Sequence, residues 1–190
     1  MAAFEGYSTK QSVVLVYTGE GKGKTSAGIG LMARALGNGW QVAFIQFIKH
    51  WTVGEHNFIR DIQPIYGQKL FFYKGGKGFY NAGAISAKDV TPEEHRIAAE
   101  ITYKTALKCA VSGDYDLVIC DEINNAVHDG LITEQNLDKL IKQRSPKTSL
   151  CLTGRNFPQA LIKKTDIVTE MKKIKHHFDD QYLANKGIDF

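Results

Sequence analysis

The chain has only three cysteines in 190 residues, Cys109, Cys120 and Cys151, and no two of them form a C-x-x-C pair. An odd count without paired spacing gives no disulfide framework. Cys120 and Cys151 also close apolar runs, so the thiols are expected to be buried and to act as small hydrophobes. No apolar stretch approaches the roughly 20 residues that span a bilayer, and Met1 to Ser12 lacks a hydrophobic signal core. The sequence therefore places the chain in the cytoplasm and away from membranes. The histidines His50, His56, His95, His128, His176 and His177 show no H-E-x-x-H or other ligand spacing, which argues against a protein-ligated transition metal. There is no G-x-S-x-G elbow and no Cys/His signature, so covalent nucleophilic catalysis is not the expected chemistry. Strong charge of one sign is missing too. The net charge is +4, and 19 of the 24 basic residues are lysines, scattered apart from a denser run at Lys172, Lys173 and Lys175. That disfavours nucleic acid as a partner and suits a solvated surface beside a polyanion site.

What the chain does have is T-G-E-G-K-G-K-T at Thr18 to Thr25, directly after the apolar run Val13 to Tyr17. A buried strand, a glycine-rich turn and a following helix together form a phosphate-binding loop. Backbone N–H groups of the turn converge on an anion, and the helix adds its positive N-terminal dipole. Lys24 is placed to reach the outer phosphates and the Thr25 hydroxyl to bind Mg²⁺. The standard pattern has glycine where this chain has Thr18, while Gly19, Gly21 and Gly23 supply the φ freedom of the turn. A glycine-rich turn without a ligand is the plainer alternative, and the strand before and helix after weigh against it.

Length and composition suit one α/β domain. The expected layout is a short tail over residues 1–11 and a single phosphate-loop domain over 12–190, with no internal repeat. Strand-like and helix-like segments alternate, which predicts a phosphate-loop NTPase-like, mostly parallel sheet with helices on both faces. Strands are expected at Val13–Tyr17, Gln41–Ile48, Lys69–Tyr73, Asp116–Cys120, Thr148–Leu152 and Ile167–Met171. Helices are expected at Lys24–Leu36, around Leu137–Ile141, and from the capping box Thr91-Pro92-Glu93-Glu94 to about Ser112, with Ile97, Ile101 and Leu107 as the apolar side of the last. Residues 75–83 carry four glycines and form a loop long enough to be a binding lid, and a polar tail runs from Lys172 to Phe190.

In a parallel sheet all strand C-termini share one rim, so the phosphate loop, Asp121-Glu122 and Thr153-Gly154-Arg155 open onto a single site. Acidic residues ending a strand downstream of a phosphate loop suit a Mg²⁺-nucleotide site, because the ion takes hard oxygen ligands and keeps several waters. An acidic pair there can also cap a helix; the upstream loop favours the metal. Arg155 has two readings, a clamp on phosphate or a surface partner of Asp or Glu.

V-Y-T-G-E-G-K-G-K-T with A-G-I-G and Ala33-Arg34-Ala35, then V-A-F-I-Q-F-I-K, G-E-H-N, G-F, D-L-V-I-C-D-E-I, L-T-G-R, K-H-H-F and the terminal G-I-D-F resemble the corrinoid adenosyltransferases of the bacterial cobalamin-salvage type, from about residue 12 to 190. The resemblance implies transfer of the 5′-deoxyadenosyl group of ATP to the cobalt of a Co(I) corrinoid, with release of triphosphate. It implies a nucleotide held by Gly19, Glu20, Gly21, Lys22, Gly23, Lys24, Thr25, Ser26, Arg34 and Arg155. It also implies Mg²⁺ on Thr25, Asp121 and Glu122, and an electron donor such as a flavoprotein. Co(I) is itself the nucleophile, so no protein nucleophile is expected. Lys24 then counts as catalytic, together with Phe79, which matches the family's aromatic group that displaces the lower axial ligand of the cobalt, and Tyr80 as the candidate for the second such group; their plainer role is to anchor a loop. Two features depart from the family. Asn81 stands where related chains carry tryptophan, and Met1 to Ser12 leaves little room for the helical extension that helps cover the site. A homodimer is implied by resemblance alone. The competing readings are a phosphate-loop ATPase coupled to a partner or nucleic acid, and a nucleotide-binding or corrinoid-carrier module without turnover.

Overall fold

A computed structural model describes residues 4–80, 86, 87 and 89–190. Among these residues lies one six-stranded sheet in the order β3-β2-β4-β5-β1-β6. Its strands are β1 (Val14–Thr18), β2 (Val42–Gln46), β3 (Leu70–Lys74), β4 (Leu117–Asp121), β5 (Ser149–Thr153) and β6 (Ile167–Glu170). Every pairing is parallel. All six expected strands are present, displaced by a residue or two at their ends.

Successive side chains along a strand point to opposite faces, and this builds two cores. Val14, Val16, Ala43, Ile45, Val118, Cys120, Leu150 and Leu152 join one core, while Leu15, Val42, Phe44, Leu117, Ile119 and Cys151 join the other. The first is covered by α3 (Pro92–Ser112), α4 (Ile123–His128) and α5 (Glu134–Gln143), the second by α1 (Lys24–Gly37) and α2 (Gly54–Tyr66). The central strands β2, β4 and β5 are buried throughout, whereas β6 is exposed at the edge, where Glu170 closes a short strand. All three cysteines are free and buried.

Helix α3 begins as expected: the Thr91 hydroxyl accepts from the Glu94 N–H at 3.2 Å and the Glu94 carboxylate accepts from the Thr91 N–H at 2.8 Å. Its buried face differs in part from expectation: Leu107 packs against the core as expected, but the two isoleucines do not. His95, Ala99, Thr102, Tyr103, Ala106, Cys109 and Ala110 face the sheet, while Ile97 and Ile101 are about half exposed. Small residues let the helix lie close to the strands, and the larger isoleucines line an outer cleft of about 510 Å³ with Lys74 and Lys77. Helices α2 and α4 were not expected. The polar tail beyond β6 contains a short 3₁₀ turn at His177–Asp180 and folds back on the sheet rim.

Candidate functional site

The phosphate loop leaves β1 and enters α1 at Gly23, which has φ +113°. Gly19 has φ +96°, so both positions need glycine for their backbone. Gly21 needs it for a different reason than expected. Its φ is not in the left-handed region, but a Cβ there would lie 2.6 Å from the Met171 carbonyl oxygen, and its N–H donates to that oxygen at 2.6 Å. The segment after β6 therefore lies against the loop backbone. The Lys24 ammonium donates to the Gly19 and Gly21 carbonyls at 2.7 Å each and spans the turn. Burial, and next the charge of Arg155, lower its pKa below that of an ordinary lysine.

Opposite the loop, Asp121 ends β4 and is fully buried. Its Oδ2 accepts from Gln46 Nε2 at 2.9 Å and from the Thr25 hydroxyl at 3.3 Å, and its Oδ1 accepts from the Thr153 hydroxyl at 2.7 Å. The Thr153 oxygen in turn accepts from the Glu122 N–H at 2.9 Å. Three strand ends thus hold one carboxylate against the first turn of α1.

Glu122 takes φ 62° and sits at the N-cap of α4 without a side-chain cap bond. The cap and metal readings of the acidic pair therefore meet in one residue, with the side chain free of capping. Its Oε2 is buried and has no protein partner. Burial, and then the neighbouring Asp121, push its pKa up to about 7. Lys49 faces the same carboxylates: burial alone would lower its pKa, but Asp121, Glu122 and Glu55 outweigh this and raise it. Lys49 also pairs with Glu55 at 2.6 Å, with both side chains largely shielded.

Arg155 pairs with Glu20 of the loop at 3.3 Å, both side chains being more than half exposed. It therefore stands beside the phosphate loop and is bound to the loop's own carboxylate. Lys22 reaches the tail, its ammonium 2.6 Å from Asp189. Ser26 lies in the first turn of α1 beside Thr25. Arg34 lies ten residues along α1 from Lys24, about 15 Å at the helical rise; with Ala27, Gly30 and Leu31 of α1 and Tyr17 of β1 it borders a groove of about 280 Å³. The structure does not bring Arg34 to the loop. Phe79 packs against Trp51 with ring centroids 4.7 Å apart and planes inclined at 44°, and Tyr80 lies 5.2 Å from His95. Asn81 lies outside the described residues.

Thr153 was expected on this rim as part of Thr153-Gly154-Arg155, but without a role. Gln46, Lys49, Glu55 and His56 were not singled out individually; their signal lay in the motifs V-A-F-I-Q-F-I-K and G-E-H-N.

Among the described residues no three His, Cys, Asp or Glu side chains converge as a metal cage. A Mg²⁺ ion carried by a nucleotide needs only one or two carboxylates. The orphaned Glu122 oxygen, the Asp121 carboxylate and the Thr25 hydroxyl form a hard-oxygen donor set of that kind.

The family model described as ATP:corrinoid adenosyltransferase BtuR/CobO/CobP matches residues 10–190. Corrinoid adenosyltransferases of Pseudomonas aeruginosa and Sinorhizobium sp are 32% and 33% identical to this chain, over 95% of it and 85% and 81% of their own lengths. The Escherichia coli K12 corrinoid adenosyltransferase is 28% identical over 95% of the chain and 87% of its own. Among solved structures, the flagellar accessory protein FlaH of Methanocaldococcus jannaschii superposes with a TM-score of 0.54 over 88% of this chain and 74% of that one. At 11% identity, that likeness concerns the fold alone.

Proposed function

This chain belongs to the ATP:corrinoid adenosyltransferase family and transfers the adenosyl group of ATP to a corrinoid in cobalamin biosynthesis or salvage; from that premise we propose which of its residues carry the reaction. The supporting observation is the meeting of Lys24, Thr25, Asp121 and Glu122 at one sheet rim. The reduced cobalt attacks C5′ of ATP, the C5′–O bond breaks, and its electron pair leaves with triphosphate. No protein base is required, because the nucleophile carries no proton. What the protein must do is stabilise negative charge on the leaving group.

Lys24 and the loop N–H groups do this from below. Lys24 exchanges the carbonyls of Gly19 and Gly21 for phosphate oxygens without leaving the turn. Lys22 and Arg155 flank it and carry exchangeable partners, Asp189 and Glu20. Thr25, Asp121 and Glu122 hold Mg²⁺, which when bound neutralises charge on the phosphates. The reading also includes Ser26 on the nucleotide, a cytoplasmic homodimer and a flavoprotein donor, each resting on family resemblance. Among the described residues no helix is long and apolar enough to cross a membrane.

The test is the phosphorus product. In the reaction with Mg²⁺ and chemically reduced cobalamin, triphosphate should appear in step with the absorbance change of Co–C bond formation. Corrinoid-independent release of ADP and phosphate at about 1 s⁻¹ or faster would instead assign a phosphate-loop ATPase.

Phe79 and Tyr80 are proposed to face the corrin and displace its lower axial ligand before reduction. Phe79→Ala should then lose activity mainly when the assay starts from Co(II), and preformed Co(I) should restore most of the rate. Equal loss in both assays would leave Phe79 as an anchor packed against Trp51.

A further inference from the structure

We infer that His56 and Gln46 are positioning residues of the Mg²⁺-nucleotide site, acting through Asp121; the inference rests on the metal reading above. Gln46 ends β2 and stands in register with Asp121 at the end of β4. Both are fully buried. Gln46 Nε2 donates to Asp121 Oδ2 at 2.9 Å, while Gln46 Oε1 lies 2.5 Å from His56 Nε2. His56 Nδ1 accepts from the Val53 N–H at 3.3 Å.

These contacts leave one proton arrangement. Because Nδ1 accepts from a backbone N–H, it carries a lone pair, and the neutral ring bears its proton on Nε2. That proton goes to Gln46 Oε1. The amide is thereby locked with its NH₂ toward Asp121. Reversing the amide would set two donors face to face at His56 and two acceptors face to face at Asp121. Burial, and next the charge of Lys74, lower the His56 pKa and so support the neutral ring.

The direction of this chain bears on the ion. With Gln46 and Thr153 occupying Asp121 from inside the sheet, the carboxylate cannot rotate to take the Thr25 hydroxyl at short range. The Thr25 contact stays long, 3.3 Å, and the oxygen remains available to a metal. Without the Gln46 donor, Asp121 Oδ2 has Thr25 as its remaining partner, and the two would close on each other. His56 lies in the first turn of α2, so the anchor comes from a helix that does not contribute a direct ligand.

Mg²⁺ titrations of ATP binding by calorimetry test this. Gln46→Leu and His56→Leu should each weaken ATP binding in Mg²⁺ by about tenfold or more, the scale of one hydrogen bond to a buried charge. Binding in EDTA should be unchanged. His56→Gln, whose amide can still donate to Gln46, should recover most of the loss. Native affinity in both leucine variants, or equal weakening with and without Mg²⁺, overturns the relay. A native chain that gains nothing from Mg²⁺ overturns the metal reading and the relay together. If the leucine variants do not fold, long-range ¹H–¹⁵N spectroscopy of the native chain decides the matter. It should show His56 protonated at Nε2 and bare at Nδ1, and the other tautomer or an imidazolium at neutral pH overturns the inference.

Discussion

Replacing Lys24 with alanine should slow adenosyl transfer by about 10²-fold or more and weaken ATP binding, the usual effect of deleting one preorganised electrostatic group. The ammonium spans the Gly19 and Gly21 carbonyls, so it stands at the centre of the turn before any nucleotide arrives. Its place is fixed in advance, and little reorganisation is needed when triphosphate charge develops. Lys24→Met separates charge from packing, because it keeps most of the aliphatic stem. Both variants should be equally slow in single-turnover assays with preformed Co(I). Near-native turnover in either would remove Lys24 from the chemistry.

Glu122→Gln should have opposite effects on stability and function. The native carboxyl has its pKa raised from 4.5 to about 7, so below about 4.5 it is protonated in both folded and unfolded chains and costs nothing. Between those values the folded chain binds more protons than the unfolded one, and stability falls as pH rises. Above 7 the full cost is present, at most on the order of 3 kcal/mol at 1.36 kcal/mol per unit. Glutamine carries no such cost. In EDTA, urea unfolding should show the variant more stable than the native chain, with the gap widening between pH 5.5 and 8. A gap independent of pH would mean that Glu122 is not held against desolvation. The same variant should need far more Mg²⁺ for transfer, as expected where a site is maintained at the expense of stability.

The central strands could be read from the sequence because β2, β4 and β5 are buried throughout and largely apolar on both faces, as strands covered on both sides must be; the edge strand β6 was read from its apolar Ile167 and Val168 although it is exposed. Helix α2 could not, since Pro64 interrupts its C-terminal turns and, among its apolar residues, only Ile59 is fully buried. Helix α4 is six residues long, too short for a period to show. The apolar face of α3 was misassigned because Ile97 and Ile101 outweigh alanine in any hydrophobic pattern, whereas close helix packing selects the small residues. At the site, the loop and Asp121-Glu122 were legible because a contiguous motif carries their chemistry. Thr153 was placed on the rim by the parallel-sheet argument, but its bond to Asp121, and the roles of Gln46, Lys49 and His56, arise only when strand register and helix α2 bring these side chains together, which no local pattern encodes. Gly21 shows the same limit: its need for glycine comes from Met171, 150 residues later.

Strand β1 pairs Val14 with Leu150 on one side and Leu15 with Ile167 on the other. At translation rates of about 5–20 residues per second, β1 waits on the order of 10 s for either neighbour. The phosphate loop behind it waits as long for Met171, so the nucleotide site is among the last parts of the molecule to take shape on the ribosome. Such non-local closure is slow, and the apolar stretch Val13 to Val16 needs shielding in the meantime. A nascent chain stalled before β5 should therefore display this strand to a chaperone and retain no ATP.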